Sequence, residues 1–197
     1  AAHPGSEVVL TFDGSSGLAA AIIEGAPGDV FVSADDEITG EVLRSGAAMG
    51  TSASIASNDL QIAVAAGNPL GIAGLDDLDR VVVSLCRAEV PCGAYAEAAF
   101  GKAGVPLPVA GREANVKAVV TKVQLGEADA GIVYRTDVRA AKGITGVELA
   151  PHQSVTARYT AVVLTHATNP LGAQAFLSFL SGSEARATLR AAGFGPP

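Results

Sequence analysis

The chain has 197 residues, 49% of them apolar, with 23 Gly, 10 Pro, no Trp and a formal net charge of −7. That is enough apolar chain to build one large domain or two small lobes, and too much for a disordered segment. The acidic balance, with a pI near 4.9, argues against nucleic acid as a partner and does not suit an anionic membrane surface. No apolar run approaches the ~18 residues of a membrane span.

Strand-like runs alternate with amphipathic helices along the chain, the pattern of an α/β fold. Ala1-Ala2-His3-Pro4-Gly5 reads as the tail of a helix followed by a turn, so a helix is expected upstream of it. Val8–Phe12 reads as a strand running into the polar turn Asp13-Gly14-Ser15-Ser16-Gly17, which opens an Ala-rich helix near Ser16. That helix stops at Gly25, with Pro27 just beyond. Ser15 and Ser16 stand at N-cap positions. The first N–H groups of a helix lack intrahelical partners and carry the positive end of its dipole, so this turn offers an oxyanion a site that needs no Arg or Lys.

Farther along, Val30–Ser33 is a predicted strand and a helix begins near Asp35. The Asp35-Asp36-Glu37 run complements that helix dipole more readily than it binds a metal. Leu60–Ala65 and Val81–Ser84 are predicted strands, with a helix near Asp76 between them. Cys86 and Cys92, the only two cysteines, have no metal-site spacing and no His nearby. They read either as two buried thiols or as a bridge closing a short loop. The bridge is favoured, and it implies an oxidising, extracytoplasmic setting.

A helix is predicted from Gly93, after Val90-Pro91-Cys92, and another from Asn115. The latter carries Val116, Val119, Val120 and Val123 at the i, i+3, i+4, i+7 spacing of a helix packed on a sheet. Gly131–Tyr134, Val147–Leu149 and Tyr159–Leu164 are predicted strands, and a last helix begins near Leu171.

Four places share one local design, a strand end or turn followed by a helix start: Gly14–Gly17, Val90–Gly93, Glu113–Val116 and Ile132–Tyr134. In open α/β sheets ligands gather at such ends. Singly, each reads as ordinary helix capping; together they make a site only if they converge. Catalysis has little support. No nucleophile elbow is present, and His3, His152 and His166 read as exposed loop residues. Arg112 and Arg135 lie near two of the turns and read as surface residues or inter-lobe latches.

These blocks carry a resemblance. Phe12-Asp13-Gly14-Ser15-Ser16-Gly17-Leu18-Ala19, Glu24-Gly25-Ala26-Pro27-Gly28-Asp29-Val30-Phe31-Val32-Ser33-Ala34-Asp35, Val90-Pro91-Cys92-Gly93-Ala94-Tyr95-Ala96, Gly126 to Tyr134 and Ala192-Gly193-Phe194 together resemble the ModA family, the molybdate-binding proteins of molybdate ABC transporters. The resemblance spans almost the whole chain. It implies a two-lobed solute-binding protein of the type II periplasmic kind, each lobe a mixed sheet flanked by helices. The lobes would be 1–58 with 159–197, and 67–150, joined by crossing segments 59–66 and 151–158.

The implied ligand is molybdate or tungstate, with no further cofactor and no metal besides it, held in the cleft between lobes. Carried over residue by residue, the ligands are the Ser15 hydroxyl, the Cys92 and Val116 N–H groups and the Tyr134 hydroxyl, supported by the turn residues Gly14, Ser16 and Gly93. The implied partner is the membrane permease of an ABC transporter. The implied state is an extracytoplasmic monomer, periplasmic or anchored at the cell surface, that binds no nucleic acid and performs no catalysis. The family also has an N-terminal strand, an Ala-Ser-Leu turn and a first helix, whose turn supplies another serine. This sequence lacks that unit, so a weakened or incomplete site is expected. A protein of the same fold for another anion, such as sulfate or phosphate, is the alternative.

Overall fold

The computed structural model describes residues 7–108 and 110–197. The strands whose sequences are continuously apolar lie deepest. In β3 (Val83–Cys86) and β5 (Ala130–Tyr134) every residue is buried, as expected for parallel strands covered on both faces. β3 pairs in parallel with both β5 and β4 (Ala110–Glu113).

A single long strand, β2 (Ala48–Ala65), joins this ladder to a second one. Its last part, Leu60 to Ala65, pairs antiparallel with β5 and with β6 (Ile144–Glu148). Its first part, Ala48 to Asp59, pairs antiparallel with β7 (Thr156–Leu164), with register shifts between Met49 and Ala53 and between Ser54 and Ala56. β7 pairs on its other side with β1 (Val30–Ser33). The strand order is β1-β7-β2-β5-β3-β4, with β6 also on β2.

The helices cover both ladders: α1 (Ser15–Ile23), α2 (Asp36–Arg44), α3 (Pro91–Ala103), α4 (Val116–Leu125), α5 (Arg135–Ala140), α6 (Pro170–Leu180) and α7 (Ser183–Ala191). Their starts are written in side chains. Asp35 accepts from the Glu37 N–H at 2.7 Å, Asn115 from Ala118 at 3.1 Å and Asn169 from Gly172 at 3.0 Å, each satisfying a donor the helix leaves free. Gly104 and Gly126 close α3 and α4 in left-handed conformation, with φ of 68° and 72°, where a side chain is strained.

Apolar packing is divided in the same way as the ladders. One cluster, with Leu60, Ile62, Leu85, Phe100, Val119 and Ile132, sits around β3, β5 and the end of β2. Two smaller ones, built on Phe31, Val42 and Val162 and on Ile55, Ala161 and Leu177, sit on the two faces of β1, β7 and the start of β2.

Several expectations need correction. Val8–Phe12 forms no strand: Val9 is 83% and Phe12 85% exposed. A strand exists through its ladder, and among the described residues this run joins no strand of the sheet. The predicted strand at 81–84 lies two residues later because Val82 is instead tied by its N–H to the Asp129 carboxylate, at 2.9 Å. Leu60–Ala65 is only the end of β2, whose first half, rich in Ser, Ala and Gly, has weak strand propensity and is held by β7. The strand expected at 147–149 spans 144–148, and the helix expected at Asp76 is a short 3-10 turn, Leu75–Arg80. β4, α5 and α7 were not anticipated. The helix-tail reading of residues 1–5 lies outside the described residues. Among those described, no helix is long and apolar enough to cross a membrane.

The tightest approach of helix to sheet is at Gly131, where an added Cβ would lie 2.5 Å from Val119 Cγ1 and 3.0 Å from the Ser84 carbonyl oxygen. Gly131→Ala is therefore expected to lower stability by about 1–3 kcal/mol, the usual cost of overpacking. Urea unfolding checks this: an unchanged midpoint would mean that α4 does not rest on β5 this closely.

Candidate functional site

The turn before α1 is built by Asp13 and Gly14. The Asp13 carboxylate accepts from the Gly14 N–H at 2.7 Å, and Gly14, not Ser15, is the N-cap. Ser15 is thus the first helical residue, one position later than the capping pattern indicates. It is buried, and its Oγ accepts from the Ala34 N–H at 3.1 Å, at the end of β1. A hydroxyl that accepts from the backbone on one side has its own O–H left to donate.

The turn before α3 is built by a disulfide and a glycine. Cys86, at the end of β3, and Cys92, in the first turn of α3, form the bridge that the sequence favoured, with Cα atoms 5.7 Å apart. Gly93 lies flat on the chain between them: an added Cβ would fall 1.9 Å from the Arg87 carbonyl oxygen. Pro91, at the first helical position, has no N–H and so needs no acceptor. The next N–H, that of Cys92, lies in the turn where a helix leaves donors free, and among the described residues it has no hydrogen-bond acceptor. The same is true of the Val116 N–H, because the Asn115 cap serves Ala118 instead.

Tyr134 ends β5 and is 3% exposed. Its hydroxyl is buried with no hydrogen-bond partner among the described residues. Such a group costs free energy unless something completes it. Burial raises the phenol well above its ordinary pKa, and the neighbouring Tyr159, Tyr95, Asp137 and Asp35 raise it further. It therefore stays a donor.

These places meet. Around Gly14, the Ala114 carbonyl oxygen, the Val90 side chain and Asn115 Cβ all lie within 3.6 Å of where a Cβ would stand, so the start of α1 rests against the starts of α3 and α4. The Ser16 hydroxyl donates to the Glu89 carbonyl, and the Asn115 amide reaches the Asp13 carboxylate at 3.5 Å. Tyr134 is tied to α4 indirectly. Asp137, buried, accepts from the Tyr134 N–H at 3.3 Å and from Lys117 Nζ at 2.9 Å. The structure thus gathers Ser15, Cys92 and Val116 around one turn, with Tyr134 joined to α4 through Asp137.

Three of the cations near these turns are engaged by other groups. Lys117 is paired with Asp137. Arg112 binds the Cys86 carbonyl and Glu97, and Arg135 binds Asp59 and Glu148. The residues missed from sequence are those that hold the donors in place. Asp137 stands three residues after Tyr134, the N-cap to N3 spacing that could have revealed it. Tyr95 lies beside Asp35, and its phenol is raised by burial first and by that carboxylate next; no sequence pattern links the two.

Residues 1–195 match the family model described as bacterial extracellular solute-binding protein. Among relatives, the "Molybdate-binding protein ModA" of Mycobacterium tuberculosis is 34% identical over 200 residues, covering 100% of this chain and 77% of that protein. The protein of the same name from Haemophilus influenzae is 30% identical, covering 98% and 80%. Among solved structures, the periplasmic molybdate-binding protein of Azotobacter vinelandii superimposes with a TM-score of 0.85 at 22% identity, covering 98% of this chain and 89% of that one. The sulfate-binding protein SubI from Mycobacterium tuberculosis H37Rv gives the same TM-score at 19% identity, covering 98% and 77%. These likenesses establish the two-lobed α/β fold of periplasmic solute-binding proteins, and with the sequence matches they place the chain in the ModA family of bacterial extracellular solute-binding proteins.

Proposed function

We propose that this chain binds molybdate, or tungstate, in a cleft between two lobes and delivers it outside the cytoplasm to the membrane permease of an ABC transporter. In this reading residues 1–58 and 159–197 form one lobe and 67–150 the other, crossed by 59–66 and 151–158. The ligands are Ser15 Oγ, the Cys92 and Val116 N–H groups and the Tyr134 hydroxyl. The observation that carries the reading is the buried Tyr134 hydroxyl without a partner among the described residues. The ModA relatives, named as molybdate-binding proteins, support molybdate as the ligand. The disulfide supports an oxidising compartment.

The chemistry suits such an ion. Molybdate at neutral pH is a tetrahedral dianion whose oxygens only accept hydrogen bonds. A set of donors alone satisfies it, while a protonated oxyanion such as hydrogen phosphate would set its own donor against a donor. Each hydrogen bond to a charged group contributes about 1.5–3 kcal/mol. Sulfate has the same charge and the same need for donors but is smaller, so the cavity's size has to separate the two. No acid–base pair or nucleophile is needed for any of this, and the role is binding, not catalysis.

Isothermal titration with molybdate, tungstate, sulfate and phosphate tests the reading. Heat from the first two, with sulfate and phosphate silent or far weaker, is expected. Tighter sulfate binding would replace molybdate with the alternative anion. In the same assay Ser15→Ala and Tyr134→Phe are each expected to cost about 1.5–3 kcal/mol, roughly a ten- to hundred-fold loss of affinity, with the fold unchanged by circular dichroism. Full affinity in both variants would contradict the ligand set.

The response to pH follows from Tyr134. Its donor form is the neutral phenol, lost only as pH rises through its folded pKa. Because burial lifts that value above the ordinary one of about 10, molybdate affinity is expected to stay flat from about pH 7 to about pH 10. A loss of affinity titrating inside that window, absent in Tyr134→Phe, would show the phenol ionising earlier than its burial allows.

A further inference from the structure

The loop from Cys86 to Cys92 carries two groups at once. Its last residue presents the Cys92 N–H, and its middle presents the Glu89 carbonyl, which accepts the Ser16 hydroxyl from the start of α1. These face different partners, the anion and the opposite lobe, so the loop's shape bears on both ligation and closure. Arg87, Ala88 and Glu89 are exposed, whereas Cys86 and Cys92 are buried. Few other contacts hold it: Arg87 N–H to the Glu113 carbonyl at 2.9 Å, Val90 N–H to the Arg87 carbonyl at 3.2 Å, and Arg112 to the Cys86 carbonyl at 3.2 Å.

We propose that the Cys86–Cys92 disulfide is a positioning element for anion binding: it fixes this loop so that the Cys92 N–H and the Glu89 carbonyl stand ready before the ligand arrives. The inference rests on the anion-site reading above. Its physical basis is preorganisation. Ordering a loop at the moment of binding subtracts from affinity, and a covalent tie made in advance removes that cost. Global stabilisation is the weaker explanation for a bridge here, because the entropic gain from a crosslink grows with the loop it closes, and this one joins residues only 6 apart. What so short a bridge controls most directly is local shape. Gly93, whose missing side chain lets the helix start press onto the Arg87 carbonyl, serves the same end.

The test compares the oxidised protein with the double variant Cys86→Ala/Cys92→Ala, alone and combined with Ser16→Ala. Titration with sodium molybdate is expected to show affinity about ten-fold or more weaker without the bridge, through lost preorganisation. Ser16→Ala should weaken binding in the bridged protein and cost little further in the unbridged one, a coupling that a double-mutant cycle reads directly. If the bridge merely stabilised the fold, its removal would lower the melting temperature and leave this coupling at zero.

Backbone order parameters keep the inference testable even where the double variant does not fold. In the ligand-free oxidised protein, residues 87–92 are expected to be as rigid as a regular element, near 0.85. A loop that is mobile until molybdate is added overturns the inference, as does unchanged affinity in a folded cysteine-free protein. Absence of molybdate binding in the oxidised protein itself overturns the underlying function instead.

Discussion

Hydrogen-bond donors left without acceptors are the constraint around which this molecule is arranged. Folding normally pairs every buried polar group, because an unpaired one forfeits its hydration with nothing gained. Here the Tyr134 hydroxyl is buried and alone, and the Cys92 and Val116 N–H groups stand at helix starts without acceptors among the described residues. Each could have been satisfied cheaply by a neighbouring carboxylate. Three buried or turn-forming carboxylates are engaged elsewhere: Asp137 on Tyr134 N–H and Lys117, Asp35 on the first turn of α2, Asp13 on Gly14. A set of donors kept free of acceptors is unstable alone and complete with an anion, which is what a receptor for a fully deprotonated oxyanion requires.

The fold supplies the convergence. β2 runs through both ladders, paired with β7 along its first part and with β5 and β6 along its last, so the apolar clusters of both ladders are held on one continuous strand. Helix starts from both halves are then brought face to face at Gly14. Small residues make the meeting close: Gly14 admits the Ala114 carbonyl and Gly93 admits that of Arg87. The hinge character of solute-binding proteins fits this arrangement, since a ligand touching both halves favours the closed state by its differential contacts alone.

Much of this was legible in the sequence, and the reasons for the rest are physical. The helix caps at Asp35 and Asn115, the valine face of α4 and the buried strands β3 and β5 follow from local patterns that tertiary contacts reinforce. The four donor-bearing places were visible as turns, but whether turns so far apart in sequence converge depends on chain crossings that no local pattern carries, and family resemblance was what linked them. Val8–Phe12 misled because apolar composition alone does not commit a run to a ladder: it stays exposed and joins no strand among the described residues. The first half of β2 was missed for the converse reason: Ser, Ala and Gly are poor strand formers that β7 nevertheless holds in register. Asp137 was overlooked because a tyrosine is an unusual N-cap, though the carboxylate three residues later is an ordinary partner for one.

The most direct measurement is a crystal grown with sodium molybdate, with diffraction data collected at the molybdenum absorption edge. The anomalous peak is expected between the starts of α1, α3 and α4, with oxygens within hydrogen-bond reach of Ser15 Oγ, the Cys92 and Val116 N–H groups and the Tyr134 hydroxyl. A peak elsewhere, or an ion in that place with the Tyr134 hydroxyl still unpartnered, would contradict the assignment of these donors as the anion's ligands.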